Sequence, residues 1–262
     1  MCKDNYYCLF WFISMIPAFG KYMTMLYSIF LKPEKFSIYW KRFVDEVIQL
    51  GLKSLFIVIL MSGFMGAVLV IQTASVIESA WIPDYTVGFT VKQSMLLEFC
   101  PTIISLILAG KVGSNIASEL GTMRVTEQID ALEVMGVNSI GYLIGPKILA
   151  SLFIFPVVIM YSMVFGFLGG GIVCYATEII PVEQYIEGIR SFSEDNFGYV
   201  RYALIKTTVF AFLITSISSF FGYFVNQKGG SLEVGKASTK AVVYSSIFIL
   251  LANYILTQLI LI

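Results

Sequence analysis

Few residues in this chain are equipped for chemistry. There is no histidine among its 262 residues. That removes imidazole as metal ligand, general base or haem ligand, and with it the Ser-His and His-metal forms of intramembrane hydrolysis. Cys2, Cys8, Cys100 and Cys174 show neither metal nor disulfide spacing and read as apolar residues. The run Gly230-Ser-Leu-Glu-Val-Gly-Lys236-Ala237 is one residue short of a P-loop, with Ala237 where Ser or Thr should hold magnesium. A true P-loop sits between a strand and a helix of a soluble α/β domain. Here the run reads as a flexible basic loop, and no ATP site, metal, cofactor or catalytic residue is expected of this chain.

Two features remain. Glu98 is the one carboxylate well inside an apolar run, with Pro101 three residues on. A charge at the bilayer centre costs about 2.5 to 3.5 kcal/mol on insertion scales. It is kept near hydrated headgroups, close to Lys92, or where it faces a polar cavity. Pro101 would bend or break the helix and expose backbone polar groups to that cavity, and Gln72 could face the same space. The second feature is the polar stretch from Gly110 to Gly136. It opens with Gly113 and Ala117 spaced i, i+4 and continues into an amphipathic segment carrying Glu119, Arg124, Glu127, Asp130 and Glu133. Leu120, Met123, Ile129, Leu132 and Met135 share one broad apolar arc, while Glu127, Asp130 and Glu133 form an acidic stripe. A polar helix between two membrane spans is expected to be neither core nor lipid-facing, so it should lie against water or another protein.

The elements that must position these residues are membrane spans. Apolar residues make up 58% of the chain and charged ones 13%, against about 25% charged in soluble domains. A formal net charge of zero argues against a nucleic-acid partner. Residues 5–20 are apolar but short for a span and interrupted by Pro17 and Gly20, which suits an interfacial segment. From Lys32 to Lys53, the positions Phe36, Tyr39, Trp40, Phe43, Val47 and Leu50 recur at helical spacing, as in an amphipathic surface helix. Five spans follow: Ser54–Ile77, Gln93 into the Gly110 region, Ile148–Thr177, Thr207–Gln227 and Ala241–Ile262. Ser62, Gly63, Gly66 and Ala67 give the first a small-residue face for close packing, and Gly166 and Gly169–Gly171 stand in the third.

With the N-terminus inside, the inner segments hold 13 of the 17 basic residues, leaving Lys92, Arg190, Arg201 and Lys206 outside. The positive-inside rule then places the N-terminus in the cytoplasm and the C-terminus in the periplasm. No internal repeat of the secondary-transporter kind is present. Five spans suit half of a carrier, completed by a second copy around a shared cavity.

The run Ala109–Gly136 closely resembles the signature of the MlaE family, permease subunits of ABC transporters that move phospholipid with MCE-domain proteins. Val234-Gly-Lys-Ala-Ser-Thr-Lys-Ala-Val-Val-Tyr-Ser-Ser246 is similar to the family's run entering its last helix. Glu98 with Pro101 resembles the family's Glu-x-Gly-Pro, Cys100 standing in place of the glycine. The resemblance runs from about residue 35 to the C-terminus. It implies an all-α integral membrane protein, with an N-terminal interfacial and amphipathic region over 1–53 and a five-helix permease domain over 54–262. A coupling helix at about 119–136 would dock in a groove of a cytoplasmic ATPase subunit that binds the ATP. Glu119, Gly121, Met123, Arg124, Glu127, Gln128, Asp130, Leu132, Glu133 and Met135 would form that contact. A homodimer in the bacterial inner membrane would enclose a lipid cavity beneath a periplasmic MCE-domain protein. Leu69, Gln72 and Val76 of the first span, with Leu97, Glu98 and Pro101 of the second, would line it. A passive channel or membrane scaffold without ATP coupling is the alternative.

Overall fold

The computed structural model describes residues 17, 19–29, 36–77, 83–191 and 193–261. Residues 5–16 of the interfacial segment lie outside them. Among the described residues the protein is built from helices, with no strand. Residues 19–29 form α1. Phe36–Val47 (α2) runs through a π-helical turn at Ile48–Leu52 directly into Lys53–Val76 (α3). The second long helix is likewise continuous but changes pitch: Tyr85–Ser94 (α4), a π stretch Met95–Ile103, Ile104–Leu108 (α5), a π turn Ala109–Gly113 and Ser114–Val125 (α6). Then come Gln128–Val134 (α7), Ser139–Thr177 (α8), Val182–Arg190 (α9), Ser193–Tyr223 (α10) and Gly230–Leu261 (α11). Five of the resulting helices are long and apolar enough to cross a membrane: Tyr39–Val76, Tyr85–Val125, Ser139–Thr177, Gly198–Tyr223 and Gln227–Ile260. We term the end holding Arg124 the inner end and the end holding Tyr85 the outer end, following the charge bias.

Small residues decide how the spans pack. A Cβ on Gly66 would stand 1.9 Å from the Gly166 carbonyl oxygen, and one on Gly169 would stand 2.1 Å from that of Gly63. Backbone therefore meets backbone between α3 and α8, as the glycine faces of both spans require. The second span slants across the bundle. Its outer part, α4, lies beside α3 and α9, whereas α6 packs between α10 and α11. Gly113 meets the Ser218 side chain, and a Cβ on Gly222 would come 2.8 Å from the Ala117 carbonyl. Ile116, Ala117 and Leu120 are fully buried there.

The polar stretch from Gly110 is thus not one helix lying against water. Its first half is core and extends the second span, because its small residues let α10 approach the backbone. The basic run at 230–237 is also not a loop. It forms the first turns of α11, entered through a 3₁₀ turn at Gln227–Gly229 and a left-handed Gly230 (φ 57°).

The amphipathic segment before the first span lies along α8 rather than standing apart from it. The Phe43 ring packs edge-on to Phe153, and the Arg42 guanidinium stacks 3.7 Å over the Tyr142 ring. The short helix α1 docks through Tyr22, whose hydroxyl donates to Ser216 Oγ at 2.7 Å, and through the buried Met25. At the outer end α9 lies on α4, and a Cβ on Gly188 would meet the Tyr85 carbonyl at 2.2 Å. Lys92, assigned to an outer segment, is buried, donating from Nζ to the Ser191 carbonyl at 2.6 Å.

Candidate functional site

Polar groups gather at two levels of the bundle. The outer group centres on Glu98, 13 residues into the second span, about 20 Å along the helix from Tyr85. Its Oε1 accepts from Lys206 Nζ at 2.8 Å and from Thr257 at 3.3 Å, and its Oε2 from Asn253 Nδ2 at 3.0 Å and Thr102 at 3.2 Å. Three helices are tied together in this way: the π stretch, α10 and α11. The π stretch itself follows from sequence. Pro101 brings no N–H to the Leu97 carbonyl four residues back, and Lys206 Nζ donates to that carbonyl at 3.2 Å. Lys206 is fully buried, with its ammonium also 4.5 Å over the Tyr202 ring. Yet the Glu98 side chain is 42% exposed. One side of a carboxylate at bilayer depth therefore faces out of the protomer.

The sequence placed Lys206 in an outer loop. It is a span residue, and the signal for it was available, since a lone lysine in an apolar helix needs a carboxylate at matching depth. Of the six proposed cavity residues, the structure brings Leu97, through its carbonyl, and Glu98 together with Lys206, Asn253 and Thr257, while Pro101 is buried in the same π stretch. Leu69 is buried in α3, whereas Gln72 and Val76 are exposed near its outer end. None of the six lines the apolar cleft that runs between α3 and the second span. That cleft, of about 130 Å³, is walled by Met61, Phe64, Val68, Phe99, Ile103 and Ile107, among others.

The inner group shapes the tip where the second span turns back. Thr126 and Glu127 break the helix, Glu127 adopting a left-handed conformation (φ 59°). The proposed coupling helix is accordingly two pieces, the end of α6 and the seven-residue α7. Arg124 Nη1 donates to Asp130 Oδ1 at 2.6 Å, and Gln227 donates to the other Asp130 oxygen at 2.5 Å. Glu133 Oε1 accepts from Tyr223 at 2.8 Å and from Ser139 at 3.1 Å. Two members of the acidic stripe are therefore spent inside the chain, leaving Glu127 facing out.

The apolar arc divides in the same way. Ile129 is fully buried and Met123 and Leu132 are half-buried, while Met135 is 68% exposed, beside Val134, outside the arc, at 88%. Gly121 is buried against Val225 and Val234, and Gln128 is exposed at the start of α7. Glu119 turns toward Lys147, which is buried and holds Glu119 at 2.8 Å and Glu46 at 2.6 Å. This ion triad pins α2, α6 and α8 together. Sequence reading missed Glu46, Lys147, Tyr223 and Gln227, since only the fold brings them to the tip.

Both polar groups lie within a stretch that matches a known family. Residues 43–259 match the family described as Permease MlaE. The chain belongs to the MlaE permease family. A probable ABC transporter permease protein of Rickettsia bellii is 33% identical over 254 residues, covering 94% of this chain and 93% of that protein. The intermembrane phospholipid transport system permease protein MlaE of Haemophilus influenzae is 28% identical over 247 residues, with 94% and 93% covered. The chloroplastic protein TRIGALACTOSYLDIACYLGLYCEROL 1 of Arabidopsis thaliana is 30% identical over 231 residues, covering 88% of this chain and 65% of that protein. As an MlaE-family permease, this chain is a multi-pass membrane protein and a transport subunit.

Proposed function

We propose that this permease is the membrane subunit of an ABC transporter moving phospholipid between the inner and outer membranes of a bacterium. In this reading two copies assemble in the inner membrane, with a periplasmic MCE-domain protein on the outer end and a cytoplasmic ATPase on the inner tip. The observation that carries it is Glu98, a carboxylate at bilayer depth with one side fixed by four polar neighbours and the other exposed. Hydrocarbon is a poor neighbour for that open side, so a hydrated cavity completed by a second copy fits it. The exposed face of α11 supports the same arrangement. Only 11% of the most apolar window of that helix is buried within the protomer, against 56% for the second span.

The inner tip supplies the coupling. Val134 and Met135 present an apolar knob beside Glu127, while Arg124, Asp130 and Glu133 hold the knob rigidly to Tyr223 and Gln227. Push on such a tip passes along α6 into the second span and on to Glu98, since these are one continuous helix. ATP is bound and hydrolysed by the partner, and this chain contributes no catalytic group.

The test is reconstitution of the permease with its ATPase in nanodiscs. Phospholipid should stimulate hydrolysis, and a photo-crosslinking residue placed near Glu98, with Glu98 itself retained, should capture phospholipid within the assembled complex. Hydrolysis indifferent to lipid, with capture only at lipid-facing control positions such as Phe56, would overturn the reading.

A further inference from the structure

The slant of the second span leaves a wedge on the α3 side. Its outer part lies against α3, but α6 departs toward α10 and α11. At the inner end the wedge opens as a polar cleft of about 500 Å³, rimmed by Gln49, Lys53, Lys111, Asn115 and Glu119 over a floor containing the buried Ser54. Lys111 Nζ reaches across to donate to the Lys53 carbonyl, bridging the two helices. Among the described residues neither Lys53 nor Lys111 enters an ion pair, whereas Glu119 is held by Lys147. The uncharged run of α3 begins at Ser54, and that of the second span ends at Gly110. Both lysines therefore stand where their helices leave the hydrocarbon, at headgroup level.

The apolar cleft lies between the same two helices, farther toward the outer end. Ile107 is one helical turn from Lys111, and from Ile107 to Met95 its wall is about 18 Å long by helical rise. One leaflet of a bilayer is about 15 Å deep, half of a ~30 Å core. A two-lysine cleft with an apolar groove about one acyl chain long beyond it, between the same two helices, suits the shape and charge of a single amphiphile with a phosphate head.

We propose that the wedge between α3 and the second span binds one phospholipid with a net-anionic headgroup from the leaflet at the inner end. Its phosphate would lie between Lys53 and Lys111 and one acyl chain would lie against Phe64, Phe99 and Ile103. A zwitterionic headgroup brings its own cation against the lysines and is disfavoured. The site is distinct from the Glu98 cluster and stands whether or not the bound lipid is cargo.

The test uses the full chain carrying a photo-crosslinking residue at the exposed Asn115, in phosphatidylcholine nanodiscs. These are doped with equal fractions of alkyne-tagged phosphatidylglycerol or, in a second arm, alkyne-tagged phosphatidylcholine. Phosphatidylglycerol should be captured preferentially. Lys53→Gln and Lys111→Gln should each reduce that preference about fivefold, the contribution expected of one basic residue at an anionic surface. The double Lys→Arg variant, which keeps both charges, should retain it. Both lysines are exposed, so the single variants should elute as the parent does on size exclusion. Equal capture of the two lipids overturns the proposal, as does an unchanged preference in the glutamine variants. A crosslinked band of two chains in place of lipid would assign the wedge to a second copy. Capture abolished by millimolar inorganic phosphate would assign the lysines to the free ion. Lipid-stimulated hydrolysis, which tests the transport reading, can fail or succeed independently of all these outcomes.

Discussion

Glu98 and Glu133 are both carboxylates bound to hydroxyl and cationic groups, yet they stand in opposite surroundings. Glu98 meets a lysine that is wholly removed from solvent, within two membrane-length helices. Glu133 meets Tyr223 and Ser139 at a tip open to water, with Arg124 3.8 Å away. At bilayer depth a charge must be matched, because an unmatched ion in a low dielectric is strongly disfavoured. At the tip the same groups contribute little energy and mainly shape the turn. The outer group is therefore a structural necessity that we also propose as a site, whereas the inner group is scaffolding for an exposed apolar knob.

That contrast can be broken most severely at Lys206. Glu98→Gln leaves the fully buried Lys206 without its anion and should cost about 3 to 5 kcal/mol, the loss typical of a buried charge stripped of its partner. Adding Lys206→Met should restore most of it. Thermal unfolding in detergent measures both, and equal stability of the single and double variants would remove the ion-pair account.

Next comes the knob. Met135→Asp should leave thermal stability within about 0.5 kcal/mol, as for exposed positions generally. It should nonetheless weaken association with the ATPase at least tenfold, about 1.4 kcal/mol, read by co-purification. Glu127→Lys should act in the same direction.

Tyr223→Phe removes the hydroxyl that donates to Glu133 and is also hydrogen-bonded to Ser139 and should cost about 1 kcal/mol. Arg124→Gln should cost less than about 1 kcal/mol, and that small loss should shrink as salt is raised. A larger, salt-insensitive loss at Arg124 would mean that the tip is as desolvated as the outer group and would erase the distinction between them.

Much of this was legible in the residues. The glycines at 63, 66, 166 and 169 announced a close helix crossing, and α3 and α8 make it there. Glu98 stood out because a carboxylate in an apolar run needs a reason, and Pro101 because a helix cannot hydrogen-bond through it. The polar stretch at 110–136 was misread in its first half. Its small residues signalled packing against another helix, but its polarity was taken as a sign of water or of another protein. Gly113 and Ala117 are small so that α10 can come close, and Ser218 and Gly222 are the small residues they meet. Asp130 and Glu133 were expected to reach outward, and nothing local to α7 says that Gln227 and Tyr223, some ninety positions on, would claim them.

The amino-acid sequence alone determined what a bilayer dictates directly: five long apolar helices, their glycine-lined faces and the isolation of one buried acid. Those follow from local composition and from the cost of placing polar groups in hydrocarbon. Only the tertiary structure decided which charges pair, that Lys206 belongs to Glu98 and Lys147 to Glu46 and Glu119, and that the second span leaves α3 for α10 partway through the membrane. Pairing between distant segments depends on the rotation and slant of each helix, and these are set by how all the faces pack at once.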